Sequence, residues 1–300
     1  MGNESLEKTR DFLSFLFPDL VIKKISPLGE GWDSKAFSVN KSVVFRIPKR
    51  TTVARRMKTE IQLLHAIKPY LYSTQIPDIK WIGPARDNLA VSAIGYPKIE
   101  GVPFSNIVQG TEMNHIFPEI GQFLNELHTV PKSVFQTEKV PWFRWTGDGS
   151  ESGPDGWEIG LRTFTERIRV GVLPLLSKST ATAVDNEINI FLTNKQNFGF
   201  EPVLLHGDLT QEHILVNKET DTIGVIDFGD SGFGDPAYDV WPQLTPYYSR
   251  CGVDETFKIR QRFYRKLAPF HGVISGLMVE DDEMVIKGLD EIERAFGTVF

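Results

Sequence analysis

Apolar positions in residues 5 to 16 fall at Leu6, Phe12, Leu13 and Leu16, the spacing of one face of a short helix that Pro18 ends. The texture then changes. Val21 to Leu28, Lys35 to Val39 and Val43 to Ile47 are short runs rich in β-branched and aromatic residues, separated by Gly29-Glu30-Gly31 and by Asn40-Lys41, and they predict an antiparallel meander of three strands. Residues 53 to 68 return to helical period, with Met57, Ile61, Leu64 and Ile67 along one stripe and Pro69 as the stop. Strands are expected around 77 to 83 and 89 to 96. From Glu100 onward the pattern is largely helical, broken by a Gly/Asp/Ser/Glu-rich loop from Thr146 to Gly156. The exception is the segment from Val203 to Phe228, which reads as an apolar strand, a tight polar turn, and two further apolar strands.

Composition narrows the class. The chain has 300 residues, 41% of them apolar, enough for a sizeable core in one large domain or two lobes sharing a cleft. A formal charge of -6 argues against a nucleic-acid partner and leaves room for a cationic ligand. The lone cysteine, Cys251, excludes an intrachain disulfide framework, which points to a reducing compartment and a cytoplasmic location. The N-terminus has charges where a secretory signal needs an apolar stretch, and no run of about eighteen apolar residues is present, so no membrane span is expected. The opening MGNESL fits a myristoylation pattern only loosely, at Gly2.

The chemistry concentrates in Val203 to Phe228. Asp208 lies just past one buried strand and Asp227 just past another, so pairing within this hairpin-like unit would bring two carboxylates to one edge of a cleft, an arrangement suited to metal and phosphate. Taken alone, an Asp after a strand is a turn former, and His213 beside an apolar strand reads equally as a hydrogen-bonded core residue. The other histidines have no ligand spacing, and the acidic run Val279 to Glu283 reads as a solvated face.

The segments HGDLTQEH and VIDFG together resemble the catalytic and metal-binding loops of the aminoglycoside phosphotransferase family, distant relatives of the protein kinases. The resemblance spans nearly the whole chain. It implies an α+β, bilobal, protein-kinase-like fold, with an antiparallel N-lobe sheet carrying one helix over residues 1 to 98 and a mainly helical C-lobe over 99 to 300. It makes Asp208 the catalytic base, Asp227 a magnesium ligand, and His206 the brace of the loop that Gly207 turns. His213 stands where most of the superfamily has Asn, as in the 2''-aminoglycoside and macrolide branches, and an imidazole nitrogen can still hold a metal. Gly29, Gly31 and Ser34 look like the phosphate-covering loop. Arg46 stands at the place of the phosphate-binding lysine with Glu60 as its ion-pair partner, whereas Lys49 has the parity of the opposite strand face. Tyr96, Lys98 and Ile99 look like the hinge that binds the purine, and Asp239 matches an Asp that buttresses the catalytic loop.

The activity so implied is transfer of a phosphoryl group from ATP or GTP, with Mg2+, to a hydroxyl of an antibiotic, by a monomer or weak dimer. An aminoglycoside suits the acidic chain, with Asp230 and Asp235 as acidic groups for its ammonium ions. A macrolide is the alternative, since the segment after Asp239, VWPQLTPYYS, is aromatic and without carboxylates. Kinases of choline, homoserine or related metabolites, and a pseudokinase that binds nucleotide without turnover, are the further alternatives.

Overall fold

A computed structural model describes residues 3–31, 33–107, 116–135, 141–145 and 156–297. Gly2, His115 and most of the Thr146 to Gly156 loop lie outside these residues. The chain divides into two compact units, residues 1–141 with 208–231, and residues 142–207 with 232–300.

The first unit begins with helix α1 (Asn3–Leu16), which lays Leu13 on a core of Ile25, Phe37, Val39, Phe45 and Ala93. That core backs a five-stranded antiparallel sheet in the order β1 (Ile25–Glu30), β2 (Ser34–Val39), β3 (Val43–Pro48), β5 (Ile94–Pro97), β4 (Trp81–Ile82). The β2–β3 connection is the three residues Asn40-Lys41-Ser42, of which Asn40 and Lys41 are in the left-handed region with φ of 53° and 62°. Asn40 also explains why β1 starts later than its hydrophobic pattern suggests. Its Oδ1 accepts the N–H groups of Lys23 and Lys24 and its amide donates to the Val21 carbonyl, so residues 21–24 are tied down by a side chain instead of a ladder. Gly29 and Glu30, expected as a separator, join β1 after a register shift between Pro27 and Gly29. The strands expected at 77 to 83 and 89 to 96 shrink to two and four residues. Pro77 and Pro84 flank the first of them, and a proline cannot donate to a ladder.

Helix α2 (Thr51–Ile67) buries Val53, Met57, Glu60, Leu64 and Ile67 on one face. A carboxylate within an apolar stripe demands a partner. Strand β6 (Val102–Pro103) pairs with β8 (Ile214–Asn217), and β8 with β9 (Thr222–Val225). Gln75 bridges Gly224 through backbone hydrogen bonds to Ile223 and Val225. Helix α3 (Ile116–Leu127) adds Phe123, edge-on to Phe228. These pairings are why residues 99–141 and 208–231 pack with the N-terminal ones, and why the compact units divide elsewhere than at residue 98.

The second unit holds helices α4 (Gly156–Gly171), α5 (Lys178–Thr193), α6 (Glu255–Val279) and α7 (Asp282–Phe296). Strand β7 (Val203–Leu205) pairs there with β10 (Gly232–Gly234). The expected pairing of the whole 203 to 228 segment as one unit is therefore corrected: β7 takes its partner from beyond Asp227, and β8 and β9 form the hairpin. Trp145, Trp157, Phe164, Tyr238 and Tyr264 pack as an aromatic cluster. No helix among the described residues is long and apolar enough to cross a membrane.

Candidate active site

Arg46 sits mid-strand on β3, opposite Ala36 and Ile94, and is 8% exposed. One prong of its guanidinium donates to Glu60 Oε1 at 2.7 Å and the other to Asp227 Oδ1 at 2.9 Å, while Nε reaches Ser34 Oγ at 3.4 Å. Burial works against its charge, yet Glu60 and Asp227 outweigh it and hold the guanidinium above its ordinary range. Glu60, 3% exposed, is pushed up by burial and by the Asp227 and Asp230 carboxylates, with Arg46 pulling against them. Lys49 turns to Glu30 at 2.9 Å, in keeping with its opposite parity.

Asp208 and His213 close a short loop. His213 Nδ1 lies 2.8 Å from the Asp208 carbonyl oxygen and 3.6 Å from Asp208 Oδ2, and the His213 carbonyl accepts the Ile226 N–H. A carbonyl only accepts, so Nδ1 carries a proton, and in the neutral ring Nε2 carries the lone pair. That nitrogen faces Asp227 Oδ2 at 3.8 Å. Asp227 itself has φ of 67°, a left-handed conformation that a residue other than glycine adopts at a cost and that recurs at functional sites. A carboxylate oxygen and an imidazole lone pair at this separation fit a divalent cation, the carboxylate being the ligand magnesium favours.

These groups share one cavity of about 300 Å³, lined also by Gly31, Asp33, Arg56, Gly229 and Asp230. Its charged lining is five carboxylates, Asp33, Glu60, Asp208, Asp227 and Asp230, against two guanidinium groups, Arg46 and Arg56. Arg56 had no part in the sequence reading. Its signal was available in its place four residues before Glu60, which puts both on one helix face. Asp230 pairs with Arg56 at 3.0 Å and is pushed up by burial and by the neighbouring Asp227 and Asp33.

Gly29, Tyr96, Lys98 and Ile99 do not line this cavity. Tyr96 is buried, its hydroxyl pushed up to about 12 by that burial. The Lys98 amine pairs with Glu100 at 2.6 Å, and Ile99 covers Gly224, where any Cβ would collide with it.

In the second unit, Asp239 is 2% exposed and its two oxygens accept the N–H groups of His206 and Gly207. Gly207, with φ of 85°, makes the turn that presents both. Asp235 is corrected from an acceptor-binding residue to a structural one. It is fully buried, and its carboxylate accepts from Arg260 Nε at 2.6 Å, the Tyr264 hydroxyl at 2.8 Å and the Ala237 N–H at 3.0 Å.

The fold is that of the kinase-like phosphotransferases. A family model described as the phosphotransferase enzyme family matches residues 24–270, and the chain belongs to that family and is a phosphotransferase. Among solved structures, the GDP complex of a wild-type aminoglycoside 2'-phosphotransferase-IIIa is 25% identical, with 98% of this chain and 99% of that one covered at a TM-score of 0.82. The GDP and kanamycin complex of APH(2")-IIia is 24% identical over the same shares at 0.82. A macrolide 2'-phosphotransferase type I is 17% identical, covering 95% of this chain and 97% of that one, at 0.71.

Proposed function

We propose that this phosphotransferase moves the terminal phosphoryl group of ATP or GTP to a hydroxyl of an aminoglycoside antibiotic. The observation that carries the reading is the convergence of Asp208, His213, Asp227, Arg46 and Glu60 on one cavity. An excess of carboxylates repels a bare triphosphate, so this lining admits one only together with cations. Asp227 and His213 are the residues that would hold magnesium, which would supply positive charge against the phosphates.

The chain's own groups do the rest. Asp208, with a half-exposed carboxylate beside His213, orients the acceptor hydroxyl and takes its proton as the oxygen attacks the terminal phosphorus and the bond to the bridging oxygen breaks, releasing the nucleoside diphosphate. The Asp208 carbonyl fixes the His213 tautomer, so that the imidazole remains a donor of its lone pair. Arg46 fixes Asp227 and, with Glu60 as its counter-ion, brings positive charge to the cavity. Gly31, which lines the cavity, lets the backbone there approach the phosphates. Tyr96, Lys98 and Ile99 make the purine hinge, and Asp239 steadies the N–H groups just ahead of Asp208 in the chain.

Two observations favour an aminoglycoside: the net charge of -6 and the likeness to a kanamycin complex. A macrolide is the second reading. It is favoured by the likeness to a macrolide 2'-phosphotransferase and by the 241–248 segment, which exposes Tyr247 and carries no carboxylate. The test is nucleotide consumption with Mg2+ and ATP or GTP against kanamycin-like, gentamicin-like and macrolide acceptors. An aminoglycoside is expected to stimulate turnover, with a KM that rises as salt screens its charges. Stimulation by a macrolide alone selects the second reading. Nucleotide binding without turnover on any acceptor returns the metabolite kinase or the pseudokinase.

A further inference from the structure

Two arginines run side by side through this cavity. Arg46 touches Ser34 in the glycine-rich loop and Asp227 in the turn that follows β9. Arg56 does the same one residue earlier in the loop and three residues later in the turn: Nη2 donates to Asp33 Oδ2 at 2.6 Å and Nη1 to Asp230 Oδ1 at 3.0 Å. Both prongs of one guanidinium therefore join two segments that the sequence keeps far apart. Asp33 is gripped from a second side by Arg50 at 2.7 Å, and its carbonyl accepts the Lys49 N–H at 2.9 Å, so the carboxylate stays paired with cations of the α2 end.

We propose that Arg56 is a positioning residue for the nucleotide: by bridging Asp33 and Asp230 it ties the glycine-rich loop to the Asp227–Asp230 turn and so sets how tightly a triphosphate is held. The inference rests on the reading of this cavity as the nucleotide site. A turn that opens on Gly31 has backbone freedom beyond the β1 ladder, and ordering it at the moment of binding weakens affinity. A loop already fixed by a two-pronged clamp escapes that loss. A single exposed ion pair has little worth, but a fork that engages two carboxylates on separate segments adds geometry that a lone pair lacks. The effect falls on nucleotide affinity and not on the chemical step, because Arg56 touches neither Asp208 nor His213.

The experiment is a direct titration of the full chain with nucleotide and Mg2+, with steady-state kinetics alongside, for wild type, Arg56→Gln, Arg56→Lys, Asp33→Asn and the Arg56→Gln/Asp33→Asn pair. In Arg56→Gln the dissociation constant and KM for nucleotide rise about tenfold while kcat at saturation changes less than about threefold, as loss of one charged hydrogen-bonded bridge predicts. The loss in the double variant falls short of the product of the two single losses, since the Arg56–Asp33 contact is common to both changes. Arg56→Lys keeps the charge but loses the fork, and it binds less tightly than wild type; it also serves if Arg56→Gln does not fold. Arg56→Gln within about twofold of wild type, full affinity in Arg56→Lys, or losses that multiply in the double variant overturns the clamp. A wild-type chain that binds no nucleotide overturns the reading of the cavity, a separate failure seen before any variant is compared.

Discussion

Arg46 shows how one side chain sets the character of the site. A planar fork satisfies two carboxylates in different directions, where an ammonium would offer a point charge, and Arg46 so ties Asp227 to Glu60. The pair was legible through the family resemblance, which sets Arg46 on the strand and Glu60 on the helix that follows it, with strand parity setting Lys49 aside. Asp235 was not, because an acid in a loop looks the same in sequence whether it faces solvent or, as here, a buried Arg260. His271 is another such residue. Its ring stacks on Phe164 at 4.1 Å, its Nε2 has no hydrogen-bond partner among the described residues, and burial pushes it down to about 4 from an ordinary 6.5. The unfolded chain thus takes a proton near pH 6.5 that the folded protein refuses until about 4. The stability this contributes is whole above 6.5 and is lost as pH falls through that window. Thermal or denaturant unfolding at pH 7 and 4.5 is expected to show that the acid-induced loss shrinks by about 2 kcal/mol in His271→Phe. An unchanged loss would show that His271 protonates as readily folded as unfolded.

At the scale of elements, hydrophobic period recovered α1, α2 and the β2–β3 hairpin, and it failed where side chains or prolines compete with the ladder. Asn40 removed four residues from the start of β1, and Pro77 and Pro84 curtailed β4. The partner of β7 was invisible for a different reason: Gly232–Gly234 is too short and too glycine-rich to read as a strand. The turn after β7 depends on Asp239, which supplies acceptors to two adjacent buried N–H groups. Asp239→Ala strands both donors and is expected to lower unfolding free energy by about 2 to 4 kcal/mol, with Asp239→Asn losing less because its amide oxygen still accepts. Denaturant titration of the three proteins measures this, and a loss below about 0.5 kcal/mol for the alanine variant would remove Asp239 from the support of the turn.

For the molecule as a whole, the residues of the candidate site come from positions 31 to 60 and 208 to 230, and all belong to one compact unit. Sequence reading put a lobe boundary at residue 98, where strand texture gives way to helix. The β6–β8 pairing and the Gln75 bridge instead carry the 208–231 segment into the N-terminal unit, and long-range pairing leaves no local signal. The meeting of Asp208 and Asp227 in one cavity was readable because HGDLTQEH and VIDFG hold their residue types at the family's offsets. The acceptor was not, because loops that recognise acceptors vary over a constant phosphate machinery.

The central claim is that this cavity transfers phosphate with Asp208 as base. Its most direct test is Asp208→Asn, with turnover on the best acceptor and nucleotide binding measured on the same preparation. Turnover is expected to fall by at least about a hundredfold while the nucleotide dissociation constant stays within about threefold of wild type. Retained turnover, or loss of nucleotide binding in step with turnover, would contradict it.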